Sequence, residues 1–251
     1  MRIALAAQPG DPGRPNEDFV SVALPASGAG GALVLLDGVT PPPDGVTGCV
    51  HDVPWFTARL GATLLELLAG HRELTLGQCL TEAVSRTAAA HGGCDLTHRR
   101  TPQATVVLAR WDEELLEHLV LSDSVLLVES ADGSVTAVRD DRIERLARLG
   151  PVTDDQRNAE GGFFTAASDP SVADRAVTGR LARRDARALA ALTDGAARWV
   201  EVFGEGDWAA CCGLLAKEGP DALIERVREA ERGAPPRGKR HDDATAVYVE
   251  L

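Results

Sequence analysis

Aromatic side chains are scarce in this chain: Phe, Trp and Tyr make up 4% of 251 residues, and there is a single methionine. A core must therefore be built mainly from Leu, Val and Ala, and an apolar share of 44% is ample for one. Excess positive charge is also missing. Lys and Arg number 26 against 38 Asp and Glu, a formal charge of −12 that argues against a nucleic-acid partner. The basic clusters Arg180 to Arg187 and Arg237 to Arg240 read as solvated loop or helix faces. No apolar run approaches the ~20 residues of a membrane span. Ile3 to Ala7 is cut off by Gln8-Pro9-Gly10, too soon for a secretory segment. The expectation is a soluble, cytoplasmic monomer with no membrane contact.

Cysteines are few and unpaired by spacing. Cys49, Cys79, Cys94, Cys211 and Cys212 form no Cys-x-x-Cys, their number is odd, and no histidine stands at zinc-finger spacing from them. They read as reduced thiols, with Cys211-Cys212 packing on a helix. Other signatures are absent too. Gly28-Ala29-Gly30-Gly31 precedes its strand, whereas a dinucleotide fingerprint follows one. There is no Gly-x-Ser-x-Gly elbow, no Gly-Lys-Ser/Thr phosphate loop and no twelve-residue calcium loop. An aspartyl-phosphate centre at Asp37 would need an acidic residue two positions earlier, where Leu35 stands.

What is present is a regular alternation of apolar runs and breakers. Strands are expected at Ile3 to Ala7, Phe19 to Leu24 and Ala32 to Leu36, the last ended by Pro41-Pro42-Pro43-Asp44-Gly45. Leucines near the 3.6 period predict helices over Trp55 to Ala69 and Leu76 to Ala90. Strands follow at Thr105 to Trp111, Leu116 to Leu121, Val125 to Ser130 and Val135 to Val138, with a hairpin turn at Ala131 to Ser134. Asp140 to Gly162 is polar and reads as a mixed helix and flap region. After a strand reaching Thr193 come helices over Ala196 to Phe203, Trp208 to Ala216 and Pro220 to Glu231, then a basic loop and a terminal strand. This is an α+β order, best met by a packed pair of antiparallel sheets flanked by helices. The terminal strand can lie beside an early one, and no linker divides residues 1–251 into separate domains.

Four acidic stations adjoin these strands: Asn16-Glu17-Asp18, Asp37-Gly38, Asp194-Gly195 and Asp242-Asp243. Taken singly, each also reads as a strand-end turn or a surface pair. Together they supply the hard oxygen ligands that suit Mg²⁺ or Mn²⁺. Metal ions at such a centre also reconcile an acidic chain with a phosphorylated substrate.

In order, these stations resemble the successive motifs of the metal-dependent type 2C serine/threonine protein phosphatases. Leu121-Ser122-Asp123-Ser124 is similar to the family's Gly-Asp-Ser hairpin, and Thr101 to Val107 to the small-polar strand before it. The resemblance runs from about residue 8 to the C-terminus. It implies a four-layer αββα sandwich with two Mn²⁺ or Mg²⁺ ions at one end, and attack of a bridging water on a phosphoserine or phosphothreonine. By motif match Asp37 bridges both ions, Asp194 and Asp242 complete the first, and Glu17 with the Gly38 carbonyl serves the second. Asp123 matches a position used by some members for a third, weaker ion, or else caps its hairpin. Asp18 is a less certain partner of Glu17 and can instead hold the strand end.

The chain departs from the family pattern at four points. Arg14, the candidate for the substrate phosphate or else a solvated loop arginine, stands closer to Asn16 than is usual. Asp37-Gly38-Val39-Thr40 runs into Pro41, Val39 replaces the histidine of animal members, and Ser122 replaces the hairpin glycine. His241, beside Asp242, reads as a surface histidine or a helper of proton transfer. Two alternatives stay open: a phosphatase of a small phosphorylated metabolite at the same centre, and a pseudophosphatase that only binds.

Overall fold

The computed structural model describes residues 1–41, 45–233 and 241–251. Most of the triple-proline stop and the basic cluster Arg237 to Arg240 lie outside the described residues.

Two five-stranded antiparallel sheets stack face to face. The first contains β1 (Arg2–Gln8), β6 (Val125–Ser130), β7 (Val135–Val138), β9 (Ala186–Leu192) and β10 (Ala244–Glu250), in the order β1-β10-β9-β6-β7. The second contains β2 (Phe19–Ala23), β3 (Gly31–Leu36), β4 (Val106–Trp111), β5 (Leu115–Leu121) and β8 (Val177–Ala182), in numerical order. Strands buried on both faces need continuous apolar runs, and β3 and β4 are buried at every position. Alternate residues divide between two cores. Leu33, Leu35, Val107 and Ala109 meet Leu126, Leu189, Ala191 and Val247 between the sheets. Val34, Leu36, Val106 and Leu108 face outward onto helices α1 (Val53–Gly70) and α2 (Leu76–Ala89).

The other sheet is covered in the same way. Ala188, Ala190, Leu192 and Ala246 pack against α4 (Asp194–Glu201), α5 (Trp208–Lys217) and α6 (Pro220–Gly233) through Ala196, Cys211, Leu215, Leu223 and Val227. Small alanines on β9 let these helices sit close, which is how so few aromatics suffice. Cys211 and Cys212 are packing residues, and burial pushes the Cys211 thiol up to about 12. Helix starts are capped as the sequence dictates: Asp52 accepts from the Trp55 amide, and Thr75 with Gln78 forms a reciprocal capping box.

One element differs from expectation. β8 was not anticipated, because Val177–Ala182 alternates with Thr178, Gly179 and Arg180 and reads as loop; it is an edge strand paired with β5 alone. The polar stretch after Asp140 contains α3 (Arg142–Leu149), a helix with no buried residue. Phe163 to Ala167 is neither strand nor helix; Phe163 and Ala166 make isolated bridges to Arg157 and Ala104.

β10 runs antiparallel between β1 and β9, with Gln8 opposite Ala244 and Ala246 opposite Leu192. The last station is thereby carried to the end of the sandwich where the others lie. Among the described residues, no helix is long and apolar enough to cross a membrane.

Candidate active site

The stations converge because loops from both sheets are pinned to one another. Asp37 follows β3, and its carbonyl accepts from the Thr105 amide at 2.9 Å while its own amide donates to Thr105 Oγ1 at 3.2 Å. Thr105 Oγ1 in turn meets Ser124 Oγ at 2.6 Å, so the hairpin carrying Asp123 is joined to the same post. From the other sheet, Asp194 opens α4, and its amide donates to Asp37 Oδ2 at 3.2 Å. A carboxylate there also benefits from the positive end of the helix.

Two glycines permit the closest approaches. A side chain at Gly38 would meet the Glu17 carbonyl at 2.5 Å and Val53 at 2.4 Å. One at Gly195 would meet the Asp243 carbonyl at 2.0 Å. Glu17 and Asp37 are thus neighbours across a contact only glycine allows, and the Thr40 hydroxyl donates to the Glu17 carboxylate.

The carboxylates are crowded. Burial, then the negative charges of Asp194, Asp18 and Asp123, hold the Asp37 carboxyl well above the usual range. Asp18 is pushed up to about 8, mainly by burial, with Asp243 and Asp194 adding repulsion. Burial also raises Asp123. Asp18 Oδ2 accepts from Thr193 Oγ1 at 3.1 Å, but its buried Oδ1 has no partner among the described residues. Like charges collected in a partly dry site, with an orphaned oxygen among them, fit a hard divalent cation held by oxygen ligands.

Sequence reasoning placed Asp18 at the margin of this set; in the structure it is buried and within reach of the charges of Asp243 and Asp194. It also gave no role to Asp243, whose Oδ1 accepts from the Gly10 amide at 2.8 Å and Oδ2 from the Glu17 amide at 2.7 Å. Asp243 fastens the β1–β2 loop over the end of β10. Asp242 sits at the same junction: its Oδ1 accepts from the Asp243 amide at 3.0 Å, and its carbonyl from Arg228 at 2.8 Å. Only the doubled Asp-Asp hinted at this division between neighbours.

His241 is held rather than loose. Its Nδ1 lies 2.6 Å from Glu231 Oε2, a carboxylate that also meets Arg198 at 2.9 Å and Arg228 at 3.0 Å. Arg14 is exposed on the rim of a cleft of about 220 Å³ shared with Glu17, Val39, Pro41, His51 and Arg100.

No family model matches the sequence. No curated protein matches it either. Solved structures do. The serine/threonine phosphatase Stp1 from Staphylococcus aureus superimposes with a TM-score of 0.65 at 13% identity, over 99% of this chain and 94% of that one. The Mycobacterium tuberculosis serine/threonine phosphatase PstP/Ppp gives 0.64 at 16% identity, over 100% and 98%. Serine-threonine phosphatase 2C from Toxoplasma gondii gives 0.62 at 12%, over 99% and 94%. This is the type 2C phosphatase fold.

The type 2C fold explains why all four stations lie at one end of the sandwich despite so little shared sequence. It also accounts for Ser122. That residue occupies the tight-turn position with φ 70, and is one of two non-glycine residues with positive φ among those described. Its amide donates to Asp140 Oδ2 at 3.1 Å and its hydroxyl to Asp123 Oδ1 at 3.2 Å, bonds that help hold the strained turn.

Proposed function

We propose that this protein is a Mn²⁺- or Mg²⁺-dependent phosphatase of phosphoserine and phosphothreonine. The observation that carries this reading is the convergence of Asp194, Asp18 and Asp123 on Asp37, close enough to raise its affinity for protons, with the Asp194 amide bonded to Asp37 Oδ2. Asp37, Asp194 and Asp242 would hold one cation, Glu17, Asp37 and the Gly38 carbonyl a second, and Asp123 a weaker third. Bound there, such cations supply Lewis acidity toward the phosphoryl oxygens and toward an attacking water.

The remaining work falls to the chain. Thr40 and Asp243 fix the side chain and backbone of Glu17. The Asp194 amide and Thr105 fix Asp37. Arg14, exposed at the cleft rim, binds the substrate phosphate as a counter-charge. Val39 offers no general acid, and His241 is engaged by Glu231, so the departing alkoxide takes its proton from solvent. The cleft wall of Pro15, Val39, Pro41, Val53 and Pro54 is apolar enough to select what surrounds the phosphate, which keeps a small phosphorylated metabolite as the second reading.

The test is hydrolysis of p-nitrophenyl phosphate with added Mn²⁺. Turnover should vanish with chelator, and Asp194→Asn should lower kcat by roughly two orders of magnitude or more. Phosphopeptide and phosphometabolite panels then separate the two substrate classes. Absence of cation binding at these carboxylates would sink both.

A further inference from the structure

His51, which lines the same cleft, belongs to a second cluster of ligating side chains. Cys49 and His51 stand in the loop before α1, and His91 and Cys94 in the turn after α2. No sequence spacing linked them, since about forty residues separate Cys49-x-His51 from His91-x-x-Cys94. In three dimensions they meet, with Cys49 and Cys94 both free thiols.

Cys49, His51 and Cys94 form three close ligand pairs, and His91 joins Cys49 and His51 within a wider limit. Cys49 Sγ lies 3.3 Å from Cys94 Sγ, and His51 Nδ1 lies 3.5 Å from each sulfur. Ligand atoms of Cys49, His51 and His91 all fall within 4.8 Å of one another. Zinc at ~2.3 Å from sulfur and ~2.0–2.1 Å from nitrogen places its ligands roughly 3.3–3.8 Å apart.

His91 supplies the independent observation. It is 6% exposed, and its Nδ1 donates to the Thr87 carbonyl at 2.8 Å, which leaves the Nε2 lone pair as the free acceptor. That Nε2 is buried without a partner among the described residues. An imidazole oriented by a backbone carbonyl, with its other nitrogen open, is the usual arrangement of a metal-bound histidine. Burial also lowers the pKa of His91 and so favours the neutral, ligating form. Burial holds the Cys49 thiol above its usual range, opposed in part by the His51 amide, which donates to Cys49 Sγ at 3.3 Å. The His51 ring stacks on Trp55 at a centroid distance of 3.8 Å, which fixes its plane.

We infer that Cys49, His51, His91 and Cys94 form a structural zinc site, separate from the carboxylate centre. Two thiols release their protons on binding, so two thiolates and two neutral imidazoles balance one Zn²⁺. Soft sulfur donors favour Zn²⁺ over Mg²⁺ or Mn²⁺, whereas the carboxylates have the reverse preference. The ion would clip the loop after Asp37-Gly38 to the segment leading into β4. Those segments already meet once, where the Asp95 amide donates to the Gly48 carbonyl at 2.8 Å. The loop after Asp37-Gly38 and the segment into β4 would then be fixed to each other, with His51 at the cleft lining.

The inference does not depend on phosphatase activity, and its test reads the metal directly. Full-length protein, purified under reducing conditions, should carry about one zinc per chain by elemental analysis. Asp37→Asn should retain it, and Cys94→Ser and His91→Asn should each lose it. Because those variants could misfold, the wild-type protein should also be stripped and reloaded with Co²⁺. The expected result is the intense visible absorption of tetrahedral cobalt with thiolate charge transfer, displaced by Zn²⁺ and not by Mn²⁺. Cobalt spectra without a thiolate band would overturn the site. So would an intact mass two hydrogens lighter, with Cys49 joined to Cys94 and resistant to zinc.

Discussion

At the scale of single residues, the acidic centre sets up a measurable conflict between folding and charge. The Asp18 carboxyl titrates near 8 in the metal-free fold and near 4 once unfolded. Between those values the folded chain binds more protons than the unfolded one, so stability falls as pH rises. Chelated protein should therefore show its highest melting temperature near pH 4–5 and lose stability steadily towards pH 8. Added Mn²⁺ should flatten that slope, and Asp18→Asn should reduce it. A melting temperature that rises over the same range would show that Asp18 is not buried among its neighbours. Ser122 offers a second probe. A non-glycine residue in the left-handed region costs about 1–2 kcal/mol, partly offset here by its hydroxyl bond to Asp123. Ser122→Gly should raise stability by roughly 1 kcal/mol in denaturant melts. A loss would mean that the hydroxyl bond outweighs the strain.

At the scale of elements, the decisive joint is Glu231 on α6. Its buried carboxylate gathers Arg198 from α4, Arg228 from its own helix and His241 from the approach to β10. Arg228 reaches on to the carbonyls of Asp242 and Gln8, so one charged hub sets the height of the last acidic station. Removing the carboxylate takes the shared counter-charge from two guanidinium groups that are mostly shielded from water. Glu231→Ala should cost about 3–5 kcal/mol and weaken cation binding, measured by chemical denaturation and by Mn²⁺ titration. The elements also show what a sequence conveys. Apolar runs bounded by Gly and Pro marked nine of the ten strands, because each has at least one strongly buried face or a clear turn beside it. β8 escaped because an edge strand pairs on one side and tolerates Thr178, Gly179 and Arg180. α3 was expected only as part of a mixed helix and flap region, without bounds, because it buries nothing and no stripe of apolar residues marks its ends.

At the scale of the whole molecule, the acidic stations were legible because each is contiguous in sequence and tied to a strand end. Asp243 and Asp18 were harder, since their roles lie in bonds to backbone amides and in distances across two sheets. The Cys and His cluster was not legible at all, as its two halves meet only through the packing of α1 against α2. One chain thus gathers two kinds of donor set, and each sends a residue to one cleft: Glu17 from the carboxylates and His51 from the Cys and His cluster.

The placement of β10 has a further consequence, in time rather than in space. β1 pairs only with β10, and Gln8 waits for Ala244 across almost the whole length of the chain. Contacts this distant in sequence form late, because so much chain must first be ordered to close the loop. During synthesis, the first strand has no partner until residues 244–250 leave the ribosome. Asp242 and Asp243 take their places only as β10 inserts between β1 and β9, so the acidic centre would assemble in a single step with that insertion.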